Sequence, residues 1–210
     1  MSSIAVTGSA TGTGVISLLA PVTNTNRTIN LPDSNGTIVT SASTAVVTPA
    51  MLTQPFTSGT AVASTSGTSI DFTGIPSWAK RITVMLNRVS TTGVTPLLYQ
   101  LGTSGGIVTT GYVSSGSYQG DSMGALISTA GLLNGAGGAI ADTSVGITTI
   151  CSFGGNTWVS ASVSGDGTAN YSKTAGGSVT LSGTLDRIRI TTTTGTPTFD
   201  AGSINILYEG

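Results

Sequence analysis

From Phe56 to Gly210, short stretches of alternating apolar and small polar side chains recur about every ten residues, the spacing of an all-β sandwich or barrel. Ile70 and Phe72 form one such set, then Ile82, Val84 and Leu86, then Leu97, Tyr99 and Leu101. Val145 to Phe153, Val179 with Leu181, Ile188 with Ile190, and Ile204 with Ile206 continue it. A period of two puts every second side chain on one face of an extended chain. No stretch shows the 3.6-residue period of an amphipathic helix, and good helix formers are scarce, with one Glu and two Lys. Thr, Val and Ile dominate instead, and β-branched residues suit a pleated, half-buried surface. Strands are therefore expected at 68–72, 81–89, 107–113 and 145–153, with Trp158 opening another. Turn signals separate them at Thr92-Gly93, Gly102 to Gly106, Gly154-Gly155-Asn156 and Asp166-Gly167. The expected fold class is all-β.

The polar residues are of an unusual kind. Together 38 Thr, 28 Ser and 30 Gly make up 96 of the 210 residues, while charged residues are only 7%. Disordered chains pair low hydrophobicity with high net charge; this one is 38% hydrophobic with a net charge of −1, so it should fold. Seven Lys and Arg spread along the chain form no basic patch, which disfavours nucleic acid and anionic membranes as partners. The N-terminus has no positive region ahead of an apolar stretch. The longest apolar run, Val15 to Val22, is broken by Ser17 and Pro21 and falls far short of the ~20 residues of a spanning helix. The single cysteine, Cys151, excludes an internal disulfide framework and any cysteine-based zinc cluster. It shares parity with Val145, Ile147 and Phe153, so a buried small apolar side chain is expected there.

Two regions differ in texture. Residues 1–55 carry two charges, Arg27 and Asp33, and no aromatic residue. Their apolar residues come in isolated pairs, too few to bury a core within one chain, so several copies should wrap together and cover one another. Pro49 to Pro55 reads as a hinge, and residues 56–210 as one β domain.

Catalytic groups are missing in the main. The absence of histidine removes the usual general base near neutral pH and the commonest metal ligand. Gly102-Thr103-Ser104-Gly105-Gly106 matches a nucleophile elbow in spelling, but without a histidine or a strand-to-helix context it reads as a glycine-rich turn. Cleaving a glycan would need two carboxylates across a cleft, and the seven Asp and one Glu are scattered, mostly beside turns. Asp166, Thr168 and Asn170 lack a calcium-loop pattern and read as a tight turn. No cofactor, no metal and no enzymatic activity are expected. Binding a carbohydrate asks for less: an aromatic face and short polar side chains. The polar loop from Gly111 to Asp121, with Tyr112, Tyr118, Gln119 and Asp121, has that composition. So does the hairpin tip with Asn170 and Tyr171. Trp158 falls on the face of Ser160, Ser162 and Ser164, either as a sugar platform or as an anchor between subunits. Arg187 and Arg189 either pair with carboxylates of a neighbouring subunit or stand exposed.

Asn26-Arg27-Thr28-Ile29-Asn30-Leu31-Pro32-Asp33, followed by Gly36-Thr37-Ile38-Val39, resembles a segment that recurs in the stalks of tailed-bacteriophage fibre proteins. Ser69-Ile70-Asp71-Phe72-Thr73-Gly74-Ile75-Pro76-Ser77-Trp78 and the ending Phe199 to Ile206 are similar to the C-terminal domain of such fibres. Residues 111–178 carry little of the likeness. The resemblance implies a parallel homotrimer with an N-terminal trimeric β stalk, fixed through residues 1–55 to a baseplate or tail protein of the virion. It further implies a distal jelly-roll-like β-sandwich that touches the host outside the cell; with the aromatic, polar segments above, a surface polysaccharide of the host is the expected partner. The expected function is non-catalytic adsorption. A purely structural virion component, such as a head decoration or baseplate connector, and a glycan depolymerase are the rival readings.

Overall fold

The computed structural model describes residues 56–137, 143–168 and 170–210, together with residues 11, 13 and 24. The chain divides into two units, Met1–Ser43 and Thr44–Gly210, and every element below belongs to the second. Apart from those three positions, the stalk expected at 1–55 lies outside the described residues. Among the described residues there is no helix. The described residues form fourteen strands: β1 (Thr57–Ser58), β2 (Val62–Ala63), β3 (Ile70–Thr73), β4 (Arg81–Thr91), β5 (Leu97–Thr103), β6 (Gly106–Ile107), β7 (Val113–Gln119), β8 (Met123–Ser128), β9 (Leu132–Leu133), β10 (Ser144–Gly154), β11 (Thr157–Asp166), β12 (Ser172–Thr180), β13 (Arg187–Thr192) and β14 (Phe199–Glu209). All pair antiparallel, in two sheets. The larger runs β1-β14-β4-β10-β11-β12-β7-β8, with β2 also on β14; the smaller runs β3-β13-β5-β6, with β9 also on β5.

The two sheets share one apolar core. Ile82, Val84, Ile204 and Ile206 of the large sheet and Leu101, Ile188 and Ile190 of the small one are all fully buried. These are the positions that the period-two pattern selects, and burying each is worth ~1.5–3 kcal/mol. Trp78 packs against the edge of this core. Neither arginine of β13 needs a neighbour. Arg189 sits opposite Asp71 and grips it with two bonds of 2.8 and 2.7 Å, and Arg187 pairs with Asp186 at 2.6 Å.

Across β10 and β11 the sense of the faces is inverted. Val145, Ile147, Phe153, Val159 and Val163 face outward, while Thr148, Ser162 and Ser164 are buried beside Ile150. Cys151, expected inside, therefore lies half-buried on the outer face. Trp158, expected on a polar surface, is 5% exposed and belongs to the core. The cause is a single buried amide. Asn134 Oδ1 accepts bonds from Ser162 Oγ at 2.6 Å and Tyr99 Oη at 3.1 Å, and its Nδ2 donates to Ser164 Oγ at 3.1 Å. Once hydroxyl groups have buried partners, the serine face becomes the inner one.

The stretch expected as a polar loop is also a strand, β7. It is rich in Ser and Gly, and it pairs with the equally small Ala175, Gly176 and Gly177 of β12. With no bulk on that pair, the segment after β9 approaches closely; a Cβ on Gly116 would come within 2.8 Å of the Gly135 backbone.

Candidate functional site

The register of β7 against β12 sets Tyr118 opposite Lys173 and Gln119 opposite Ser172, at the end of β7. On the other side Gly124 faces Tyr118, and its missing side chain leaves room for the ring. The β11–β12 hairpin supplies the rest. Asp166 N–H donates to the Tyr171 carbonyl at 3.1 Å, closing the hairpin, and Asp166 Oδ1 accepts from the backbone and hydroxyl of Thr168 at 2.8 Å each. This is the tight turn that the residue types suggest. Tyr171 then leans on Tyr118, with ring centroids 5.7 Å apart and planes tilted by 58°. Gly120, in the β7–β8 turn, abuts Tyr171, whose Cβ would be 2.6 Å from a side chain there.

Beneath the rings lies a buried charge pair. Lys173 Nζ is 3.9 Å from Asp166 Oδ2, with the two side chains 6% and 0% exposed. The same ammonium lies 5.1 Å from the Tyr171 ring centroid, a cation–π distance that fixes the ring from below. Lys173 is buried because it shares the inward parity of β12, which only the pairing reveals.

Five of the seven expected binding residues thus come together at one end of the large sheet. Gln119, Asp121 and Asn170 are exposed, and Tyr118 and Tyr171 are half-buried. The tip offers two rings, two amides and a carboxylate, which together can both donate and accept hydrogen bonds. Among the described residues no three His, Cys, Asp or Glu side chains gather as metal ligands would. Outside that reading, a depression of about 300 Å³ opens on the small sheet between Thr68, Gln100, Arg189 and Thr191 to Thr194. Its main polar groups are engaged, since Gln100 Nε2 donates to the Ala130 carbonyl at 3.0 Å and Arg189 holds Asp71.

Tyr112 and Trp158 do not join the tip, and neither ring is open to a ligand. Tyr112 is 1% exposed. Its hydroxyl accepts from Leu101 N–H at 2.7 Å and donates to the Val108 carbonyl at 2.9 Å, tying the strand start to β5. Burial pushes its pKa from 10.0 up to about 12, and burial also raises those of Tyr99 and Tyr208. The unfolded chain loses its tyrosine protons first as pH climbs past 10.0, so stability is full below that and falls through about 12. Thermal unfolding followed from about pH 9 upward should show this fall, and Tyr112→Phe should make it shallower while costing about 1–3 kcal/mol at neutral pH. A melting temperature that stays level across that range would count against it.

No protein-family model, no curated protein and no solved structure matches the chain.

Proposed function

We propose that this chain is a tail fibre of a tailed bacteriophage whose distal domain adheres to a host surface glycan without cleaving it. One observation carries the reading. The β7–β12 pairing and the turns beside it bring Tyr118, Gln119, Asp121, Asn170 and Tyr171 to one end of the large sheet, in a chain whose residues 26–39 resemble a fibre stalk. Neutral sugars are held by stacking on rings and by many weak hydrogen bonds, the groups this tip presents. In this reading three parallel copies share a β stalk at 1–55, which fixes them to a baseplate or tail protein of the virion. The two antiparallel sheets support a jelly-roll-like sandwich as the distal domain.

Purified full-length protein should adsorb to host cells and compete with phage adsorption. One ring is worth ~1 kcal/mol, so Tyr118→Ala or Tyr171→Ala should weaken a single site about fivefold. Three linked sites multiply that to roughly a hundredfold in adsorption. Gln119→Ala and Asn170→Ala, both exposed, should weaken it less and leave folding intact. A wild-type protein that neither adsorbs nor competes would favour a purely structural virion component. Release of reducing sugar ends from host polysaccharide would make it a depolymerase.

A further inference from the structure

The outer face of the large sheet, from β10 across to β8, is uncharged. The charged residues in β10, β11, β12, β7 and β8 are Asp166 and Lys173, and both side chains are buried on the other side. An antiparallel sheet exposed to water ordinarily turns polar residues outward. Here Ile127, Phe153, Met123 and Val113 are 80%, 78%, 77% and 74% exposed. Single exposed apolar residues need no account, but a continuous patch marks an interaction surface.

The relief of this face is ordered. Ile147 and Val163 sit directly opposite one another, with Val159 further along β11, and make a ridge two strands wide. Met123 and Ile127 of β8 make a second ridge. Between them the middle of β12 and β7 presents small residues, Thr174, Gly176, Ser115 and Ser117, with Val113 at one end of β7 and Gln119 at the other, forming a furrow with depressions of about 420 and 350 Å³. Strands lie ~4.8 Å apart, so ridge and furrow are each about 10 Å wide. Five strands of about eight residues cover roughly 600 Å² before side-chain relief is counted. That approaches the ~800 Å² that each partner buries in a stable protein interface.

We infer that this face is where copies of the chain meet, the ridge of one seated in the furrow of the next. A lipid surface would call for cationic residues, which the five strands lack on this face, and a polysaccharide for several aromatic rings, of which they place one there, Phe153. A second copy matches it in width, in polarity and in absence of charge. The inference deepens the assembly proposed above and rests on that reading for the number of copies.

Cys151, opposite Val159 on the same face, is a built-in reporter of cover. Full-length protein should sediment as a multimer, with Cys151 alkylated by a maleimide at least about tenfold more slowly than in the urea-unfolded chain. Burying an unpaired ammonium in an interface costs well over the 1.4 kcal/mol of a tenfold change, so Ile147→Lys and Val163→Lys should each raise alkylation at least tenfold. Both side chains are exposed, and the far-UV spectrum should not change. A multimer with fast Cys151 alkylation places the contact elsewhere and overturns the inference while sparing the assembly. Slow alkylation at monomer mass means the chain covers itself, and a rate that the lysines leave unchanged means the face is not the interface; either outcome overturns it. A monomer with fast alkylation overturns inference and assembly together. Adsorption measured on the same samples reports separately on glycan binding.

Discussion

Asn134→Ala is expected to lower the unfolding free energy by about 3–5 kcal/mol, since each buried polar group left unpaired costs ~1–3 kcal/mol. Asn134 is 2% exposed, between β9 and the inner face of the large sheet. Besides Ser162, Tyr99 and Ser164, its side chain is within 3.4 Å of Thr148 Oγ1. Thr148 and Ser162 also bond each other at 2.8 Å, so these two keep one partner when the amide is lost. Tyr99, fully buried, is left with Thr148 alone, whereas Ser164 loses its amide partner outright. The defect thus falls first on Ser164 and on the weakened Tyr99–Thr148 corner, in a region too enclosed for easy repair. Chemical denaturation compared with Ser117→Ala, a surface hydroxyl change, measures it. A loss below about 1 kcal/mol would show that water enters and replaces the amide, and that the network matters little.

Gly202→Ala should cost roughly 3 kcal/mol or more, for two reasons that can be separated. Its φ of +91° is a conformation that side-chain-bearing residues rarely adopt. Its Cα also faces the bulge in β4, where Arg88 has φ +55°. A Cβ there would strike the Arg88 carbonyl and lie 2.6 Å from the Asn87 carbonyl oxygen. Gly74 has a similar φ of +71° with nothing within 4 Å of the added atom. Gly74→Ala should therefore show the conformational part alone, about 1 kcal/mol. Equal losses at the two sites would mean that β4 and β14 simply move apart and the bulge stores no constraint.

Much of this architecture was legible in residue order. Where one face of a strand is plainly apolar and the other plainly polar, alternation alone assigns the core; Ile82-Val84-Leu86, Ile188-Ile190 and Ile204-Ile206 are such cases. The same is true of the turn at Asp166-Gly167, because a short carboxylate that caps its own backbone works locally. In β10 and β11 alternation points to the wrong side: the more apolar face, with Val145, Ile147, Phe153, Val159 and Val163, is the outer one. The choice falls to Asn134, which arrives on another strand pairing and gives the hydroxyl face something to bond.

The tip shows the same division. Composition marked the stretches around Tyr112 to Asp121 and Asn170 to Tyr171, since aromatic rings among short polar residues are visible without any fold. It did not distinguish Tyr112 from Tyr118, which lie six residues apart and so share one side of an extended chain. Only packing separates them. Tyr112 falls beneath the small sheet and bonds Leu101 and Val108, whereas Tyr118 lies at the far end of β7 and meets Tyr171 instead. Local sequence determined that this chain would be built of strands and which of them carry the core, because alternation and turn chemistry act within a few residues. Which face of the mixed strands is buried, and which tyrosine is left for a ligand, depends on partners distant in sequence, and the tertiary structure alone decided it.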